Sequence, residues 1–255
     1  MIRVFIVQYV FVEIVIRHFM GLVYVINVLI SYFKKNKLIL YLINTIMESV
    51  PFETNIKYEE EQLFLTMIKE AYDLYRHHGP RSNKKTLHIQ KWYGSMLDNY
   101  YINRNMTSCI ECKVKSYNYS GNKNCDIVLK ENNVVKAIFP LKFVCSNYKQ
   151  NRNNYWECLT GESMHLKISN PEVKIVPINI FFTKCPYKKK SGEIQKFELY
   201  DRNIYKLYKV SEGVPIDAFI NILVDNNNLQ WDNSSLFRLT NYDSLYGTLK
   251  KLNLL

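Results

Sequence analysis

Two neighbouring segments decide the fold of this chain: NCDIVL at residues 124–129 and VKAIFPLKF at residues 135–143. Both are rich in β-branched and apolar residues, and turn-forming residues at 131–133 lie between them, which predicts two adjacent strands. Asp126 opens the first strand, and Lys142 lies near the end of the second. Because adjacent strands lie about 5 Å apart and alternate side chains share a face, we expect the carboxylate and the lysine to converge at one end of the pair.

Hydrophobic periodicity extends this pair into a larger core. Apolar stripes of helical spacing predict two helices before the strands, the second capped by Thr86. A polar helix and a buried, near-continuously apolar strand follow, and Pro177 indicates a bulge in that strand. The expected fold class is therefore α/β, restriction-endonuclease-like, with a central mixed sheet flanked by helices. The predicted elements, in the order ααβββαβ, are helices at 58–78 and 86–99, strands at 107–117, 125–130 and 134–145, a helix at 148–168 and a strand at 173–182.

From about residue 187 the pattern weakens and predicts a C-terminal helical region. Helices are expected near 200–210 and 214–224, an Asn-rich turn at 226–228, and a last short helix at 241–252. We expect this region to form a dimer face or to reach a DNA groove.

The composition is that of a globular protein with excess positive charge. The 255 residues include 34 Lys and Arg against 23 Asp and Glu, which gives a formal net charge of +11 at pH 7. Hydrophobic residues make up 47%, with only 8 Gly and 7 Pro, which excludes collagen-like and wholly disordered classes. The charge favours a polyanionic partner, nucleic acid first and an anionic membrane surface second.

The first 46 residues differ from the rest, which suggests a division into 1–46 and 47–255. Residues 1–46 are apolar and basic, and three interpretations stay open for them: a membrane anchor, a buried helix, or sequence upstream of the true start at Met47. The uncharged run Phe19–Phe33 is shorter than the roughly 20 residues that a membrane span needs. A cytoplasmic location is therefore expected, with anchoring as the less favoured alternative.

The cysteines suggest a reducing compartment. They show no compact spacing pattern and most lie in apolar runs, so all six are interpreted as reduced thiols. The pair Cys109 and Cys112 could begin a zinc site, but that site would need a second close Cys/His pair elsewhere. The six cysteines are Cys109, Cys112, Cys125, Cys145, Cys158 and Cys185.

Asp126 and Lys142 suggest phosphodiester hydrolysis. In that chemistry carboxylates hold Mg²⁺, which acidifies water and offsets charge on the phosphate, while a lysine orients or deprotonates the nucleophile. An isolated Asp and Lys sixteen residues apart are common, so the pair alone signifies no more than a turn residue and a solvated strand end. The evidence for a nuclease site is therefore the ordered sequence block around the pair, not the pair alone.

The block from Ala137 to Glu162 resembles the PD-(D/E)XK nuclease superfamily, and more narrowly type II restriction endonucleases. Its sequence is AIFPLKFVCSNYKQNRNNYWECLTGE, and the segment HGPRSNKK at 78–85 resembles the N-terminal part of the same group. The resemblance covers about residues 58–186. It implies that Asp126 binds the metal, that Lys142 is catalytic, and that the carbonyl of Leu141 contacts the metal.

The same resemblance implies a cofactor and partners. The cofactor is Mg²⁺, one or two ions per site, and the substrate is double-stranded DNA cut to leave 5′-phosphates. A homodimer with two sites would cut both strands of a symmetric sequence. A cognate DNA methyltransferase would protect the same sequence without binding this chain.

One residue departs from the family pattern. Pro140 stands where an acidic residue two positions before the lysine is expected. The second metal carboxylate is then expected on the following helix, Glu157 first and Glu162 as the alternative, with Glu70 on the first helix as an outside candidate. Glu157 and Glu162 are five residues apart, about 140° around a helix, so only one of them is expected to face the site.

DNA contacts are expected from a basic loop and a polar helix. Amide and cationic side chains position phosphates, although a solvated surface has the same composition. The candidates are Arg81, Lys84, Lys85, Asn147, Gln150, Asn151 and Asn154.

Three functional hypotheses from different classes follow. The first and favoured one is a Mg²⁺-dependent, sequence-specific endonuclease. The second is a DNA-binding protein on a catalytically dead nuclease fold, motivated by Pro140. The third is a membrane-associated protein whose basic excess faces anionic lipid.

Overall fold

The computed structural model describes residues 52–102, 104–200, 215–226 and 234–255. The chain divides into two units, Met1–Asn55 and Ile56–Leu255, and the architecture below is that of the second. The interpretations of residues 1–46 and the helix predicted near 200–210 lie outside the described residues. Among the residues described, no helix is both long and apolar enough to cross a bilayer.

The described chain has an α/β fold whose first half follows the predicted order ααβββαβ. The helices are α1 (Phe52–His78), α2 (Lys84–Tyr100), α3 (Tyr148–Ser169) and α4 (Leu245–Lys251), with a 3₁₀ turn at Ser234–Leu236. The strands are β1 (Met106–Lys115), β2 (Asn122–Glu131), β3 (Val134–Phe139), β4 (Leu141–Val144), β5 (Lys174–Ile175), β6 (Ile178–Phe182), β7 (Lys184–Lys188), β8 (Ile194–Leu199), β9 (Ile220–Asp225) and β10 (Arg238–Tyr242). The cap of α2 is Asn83 rather than the predicted Thr86.

Two four-stranded sheets and one hairpin hold these strands. The first sheet has the order β1-β2-β3-β5, the second β10-β9-β6-β4, and β7 pairs with β8. The strand predicted at 134–145 is split at Pro140, and the strand predicted at 173–182 is split before Ile178 by Pro177. Proline has no N–H to donate to a strand ladder, so each of these prolines interrupts its strand. At each interruption the chain passes from the first sheet to the second.

Helices cover both faces of the first sheet. On one side Phe64 and Tyr72 of α1 and Tyr93 of α2 are at most 1% exposed and pack in one cluster with the sheet. On the other side Leu166 of α3 packs against Val128 in a second cluster. Burial of such large aromatic side chains is the main source of stabilisation in a core of this kind.

A buried carboxylate ties the last helix to the first. Glu60 of α1 is 1% exposed and accepts hydrogen bonds from the hydroxyls of Tyr100, Tyr242 and Ser244. It also accepts from the backbone N–H groups of residues 245 and 246 at the start of α4, at 2.6 and 3.3 Å. The carboxylate thus caps α4 from another element and satisfies donors that would otherwise be orphaned.

In its described part, the region beyond residue 187 that was predicted to be helical is mostly strand. Residues 184–199 form the β7–β8 hairpin, and the helix predicted at 214–224 is irregular chain followed by β9. The run Ile220–Asp225 pairs in parallel with β6 and is buried on both faces, so its apolar residues carry no period that separates strand from helix. The short helix predicted at 241–252 is confirmed as α4.

Cys109 and Cys112 form a disulfide, so the prediction that all six cysteines are reduced was wrong for this pair. Residues three apart in a regular strand point to opposite faces, but Glu111 has φ +50°, which turns the chain and brings the two Cα atoms to 5.8 Å. The bond leaves neither sulfur as a thiolate ligand, which removes the zinc alternative. The remaining cysteines, Cys125, Cys145, Cys158 and Cys185, are free.

Candidate active site

Asp126 lies where the strand β3–β4 passes from one sheet to the other. The register pairs Ile127 with Phe139, so Asp126 comes next to Pro140 at the split. One carboxylate oxygen of Asp126 accepts a 2.7 Å hydrogen bond from the backbone N–H of Leu141. Because N–H and C=O of one strand residue point to the same side, the Leu141 carbonyl opens toward Asp126 as well.

Gln90 of α2 holds the other oxygen of Asp126. Its side-chain amide nitrogen donates to Asp126 Oδ1 at 2.9 Å and to Glu111 Oε1 at 2.7 Å. Gln90 reaches these carboxylates because α2 lies close to β1. At Gly94, one turn further along the same helix face, an added Cβ would lie only 3.1 Å from Ser108 Oγ. Gln90 therefore joins two carboxylates from two strands.

Glu111 is the functional candidate that sequence reasoning missed. It is in β1, opposite Asp126 in a register that pairs Ile110 with Ile127 and Cys112 with Cys125. Its left-handed backbone, at φ +50°, lies inside the Cys109–Cys112 bridge. The CxxC spacing around an acidic residue was the available signal, but the sequence does not show that the two cysteines bond to each other.

The carboxyl of Asp126 has a pKa above its ordinary value. Burial raises it most, and the negative charge of Glu111 raises it further. The Leu141 N–H, the positive charge of Lys142 and the Gln90 amide act in the opposite direction, because each stabilises the ionised carboxylate. The positive charge of Lys142 thus acts on Asp126, and the convergence of the two side chains stays a prediction.

The residues around Asp126 fit a hard divalent cation. Two carboxylates share one amide donor, and the amide oxygen of Gln90, on a residue 2% exposed, has no hydrogen-bond partner among the described residues. Carboxylate, amide and backbone carbonyl oxygens are the ligands that Mg²⁺ and Ca²⁺ take. A cation between Asp126 and Glu111 would relieve their repulsion. The described residues hold no group of three or more His, Cys, Asp and Glu side chains placed for a metal, so any such site is completed by amide, carbonyl or water oxygens.

Two of the glutamates predicted to replace the missing acid, Glu162 and Glu70, have other charged partners. Glu162 makes a 2.7 Å ion pair with Lys123, and Glu157 is exposed on α3. Glu70 makes a 2.9 Å contact with His88. The charged groups that shift the pKa of Asp126 are Lys142 and Glu111, and none of these three glutamates is among them.

Of the DNA-binding candidates in the basic loop, one is buried and bonded within the protein, and two are exposed to solvent. Lys85 is 8% exposed, and its ammonium donates to the carbonyls of Pro80 and Ser82 at 2.8 and 2.6 Å, so it closes the turn before α2. Arg81 and Lys84 are exposed.

The polar helix divides in the same way. Asn147 has φ +53°, and its amide exchanges hydrogen bonds with the backbone of Lys188, which positions the start of α3. Asn151 donates to the Asn147 carbonyl. Gln150 and Asn154 are exposed and remain candidates.

Comparison with known proteins adds no further constraint: no family model, curated protein or solved structure matches this chain.

Proposed function

We propose that this protein is a Mg²⁺-dependent, sequence-specific endonuclease for double-stranded DNA, of the type II restriction class. The supporting observation is the Gln90 amide held between Asp126 and Glu111, with the Leu141 N–H on the other Asp126 oxygen and the charge of Lys142 acting on Asp126. In this arrangement Glu111 supplies, from β1, the second carboxylate that Pro140 cannot supply. The formal charge of +11 suits a polyanionic substrate.

Each residue of the site has a role in this proposal. Asp126, Glu111 and the Leu141 carbonyl would hold Mg²⁺, with Gln90 positioning both carboxylates. When bound, the ion offsets charge on the scissile phosphate and lowers the pKa of water. Lys142 orients the attacking water and adds positive charge next to the phosphate. The products carry 5′-phosphates.

The proposed setting follows from the same assignment. Two copies acting as a homodimer would cut both strands, a methyltransferase would protect the cognate sequence, and the enzyme would act in the cytoplasm.

The test is cleavage of long duplex DNA by the full chain with Mg²⁺. Wild type is expected to give discrete bands, whereas Lys142→Ala and Glu111→Gln are expected to lose roughly 100-fold or more in rate, as for removal of electrostatic groups at other phosphoryl and acyl sites. Glu157→Gln is the matched control and is expected to cut like wild type. Loss of cleavage in Glu157→Gln with activity retained in Glu111→Gln would overturn the assignment of the second carboxylate.

A catalytically dead, DNA-binding fold is the second candidate, and Pro140 is the observation that favours it. Retained DNA binding by wild type without cleavage in Mg²⁺ or Mn²⁺ would establish it and overturn the endonuclease.

A further inference from the structure

The β1–β2 hairpin carries a continuous exposed track away from the candidate site. Along β1 the residues alternate, so that Cys112, Val114 and Ser116 are buried while their neighbours face solvent. The exposed residues, from the site outward, are Glu111, Lys113, Lys115 and Tyr117. The strand therefore leads from a candidate metal ligand through two cations to an aromatic ring.

The two lysines of this track carry uncompensated charge. Lys113 pairs across the hairpin with Asn124, and Lys115 with Asn122, so each faces an amide instead of an acid. Neither has an acidic partner in the described part of the chain. By contrast, the intervening Lys123 is ion-paired with Glu162.

The hairpin tip presents two tyrosines on an ordered turn. Tyr117 is 68% exposed and Tyr119 is fully exposed, with a relative value of 110%. The turn between them is held by internal bonds: Asn118 donates to the Asn122 carbonyl at 3.1 Å, and Ser120 donates to the same carbonyl at 2.7 Å. Large aromatic rings kept in water on a rigid turn lose little entropy when they meet a partner.

The spacing of the track matches a nucleic-acid backbone. Residues two apart in a strand are separated by about 6.6 Å, which is close to two nucleotide steps of 3.4 Å along one DNA strand. From Glu111 to Lys115 the distance is about 13 Å, or roughly four base pairs. Lysines bind phosphates as point charges, and tyrosine rings contact bases or sugars.

We propose that this face of the hairpin is the arm that binds duplex DNA beside the phosphodiester to be cut, with Lys113 and Lys115 on phosphates two nucleotide steps apart and Tyr117 and Tyr119 at the groove. This assignment rests on the proposed function, because it takes the Glu111–Asp126 end of the hairpin as the point of cleavage. Charge complementarity singles out a nucleic acid as the occupant: the track beyond Glu111 holds cations, amides and aromatic rings but no acid.

The test is binding of the full chain to a fluorescent mixed-sequence duplex, without divalent metal, over a range of salt concentrations. The double variant Lys113→Ala/Lys115→Ala is expected to bind roughly 10-fold or more weakly at low salt. Its plot of log affinity against log salt is expected to be shallower by about 2, one unit for each phosphate that a lysine no longer neutralises. The matched control Lys57→Ala/Lys136→Ala removes the same charge from lysines that are ion-paired with Glu61 and Glu131, and is expected to bind almost like wild type.

The tyrosines give a different signature. The variant Tyr117→Ser/Tyr119→Ser is expected to bind roughly 5-fold or more weakly with an unchanged salt slope, because ring contacts release no counterions. Both side chains are exposed, so thermal unfolding is expected to match that of wild type.

The outcomes separate this inference from the nuclease assignment. Wild-type binding that weakens in the lysine variant, without any cleavage, would uphold the arm and overturn the endonuclease. Cleavage by wild type together with wild-type affinity and salt slope in the lysine variant would overturn the arm alone. Failure of wild type to bind DNA, including the case in which it binds anionic vesicles instead, would overturn both.

Discussion

Gln90 shows how much chemistry one neutral residue controls at the site. Its amide nitrogen contacts both carboxylates, at 2.9 Å for Asp126 and 2.7 Å for Glu111, and so partly offsets the repulsion between them. Its amide oxygen accepts no hydrogen bond within the part of the chain that the structure describes. The amide nitrogen thus stabilises the same two carboxylates that a divalent cation would bind. A bound cation would offset their repulsion in its place.

The first residue-scale prediction concerns the pKa of Asp126. Burial and Glu111 raise this pKa, so Glu111→Gln is expected to lower it toward the ordinary value, and Lys142→Ala is expected to raise it further. NMR titration of the Asp126 carboxyl in the folded protein measures both changes. Glu157→Gln is the control, and a shift there as large as in Glu111→Gln would contradict the placement of Glu111.

The raised pKa also fixes the sign of the pH effects. Between the ordinary pKa and the raised one, the folded chain binds more protons at Asp126 than the unfolded chain does. The contribution of Asp126 to stability is therefore present at low pH and lost as the pH rises through this window. Cation binding has the opposite dependence, because it needs the ionised carboxylate, and it is expected to weaken as the pH falls through the raised pKa.

The second residue-scale prediction concerns the disulfide that encloses Glu111. A dithiol reductant would convert Cys109 and Cys112 to thiols and would itself become oxidised, and the chain could then relax the φ of +50° at Glu111. Reduction, or Cys112→Ser, is expected to weaken Mn²⁺ binding and to lower the pKa of Asp126. Calorimetric Mn²⁺ titration measures the first effect, and Cys158→Ser, at an exposed free thiol, is the control. Equal Mn²⁺ affinity in both redox states would show that the bond does not position Glu111.

At the scale of elements, Glu60 couples α1 to α4. Glu60→Ala would leave its hydroxyl and N–H donors without an acceptor, and is expected to cost about 3 kcal/mol or more of the free energy of unfolding. Glu60→Gln keeps the shape and one acceptor oxygen and is expected to cost less. Thermal unfolding monitored by circular dichroism orders the variants. An alanine variant as stable as wild type would show that α4 does not depend on this carboxylate.

Elements with strong local signals could be predicted from the sequence, and those that depend on distant partners could not. The helix at 148–169 and the hairpin at 122–139, which has its turn chemistry, were both placed within a few residues. β9 was taken for a helix because its pairing with β6, remote in sequence, decides its state. The cap of α4 at Glu60 is equally remote, 184 residues from Ser244.

Across the whole molecule the same division separates the site residues. That Asp126 lies against the backbone of Leu141, next to Lys142, needed only one hairpin and its continuation. Glu111 required three further facts that no local pattern carries: the approach of α2 at Gly94, the reach of Gln90, and a left-handed residue inside a disulfide. The family resemblance led to a search for the acid on the following helix, and regular strand geometry gave no reason to look at β1.

The split at Pro140 has a mechanical consequence for the molecule as a whole. Asp126 belongs to the first sheet and Leu141 to the second, so their 2.7 Å hydrogen bond spans the seam between the sheets. Val176 and Ile178, on either side of Pro177, donate to Ile138 and Pro140 at 2.9 and 2.7 Å and close the same seam one strand away. A change in curvature between the sheets must therefore lengthen or shorten the hydrogen bond that holds the Asp126 carboxylate. The position of that carboxylate thus depends on how the two sheets are bent relative to each other.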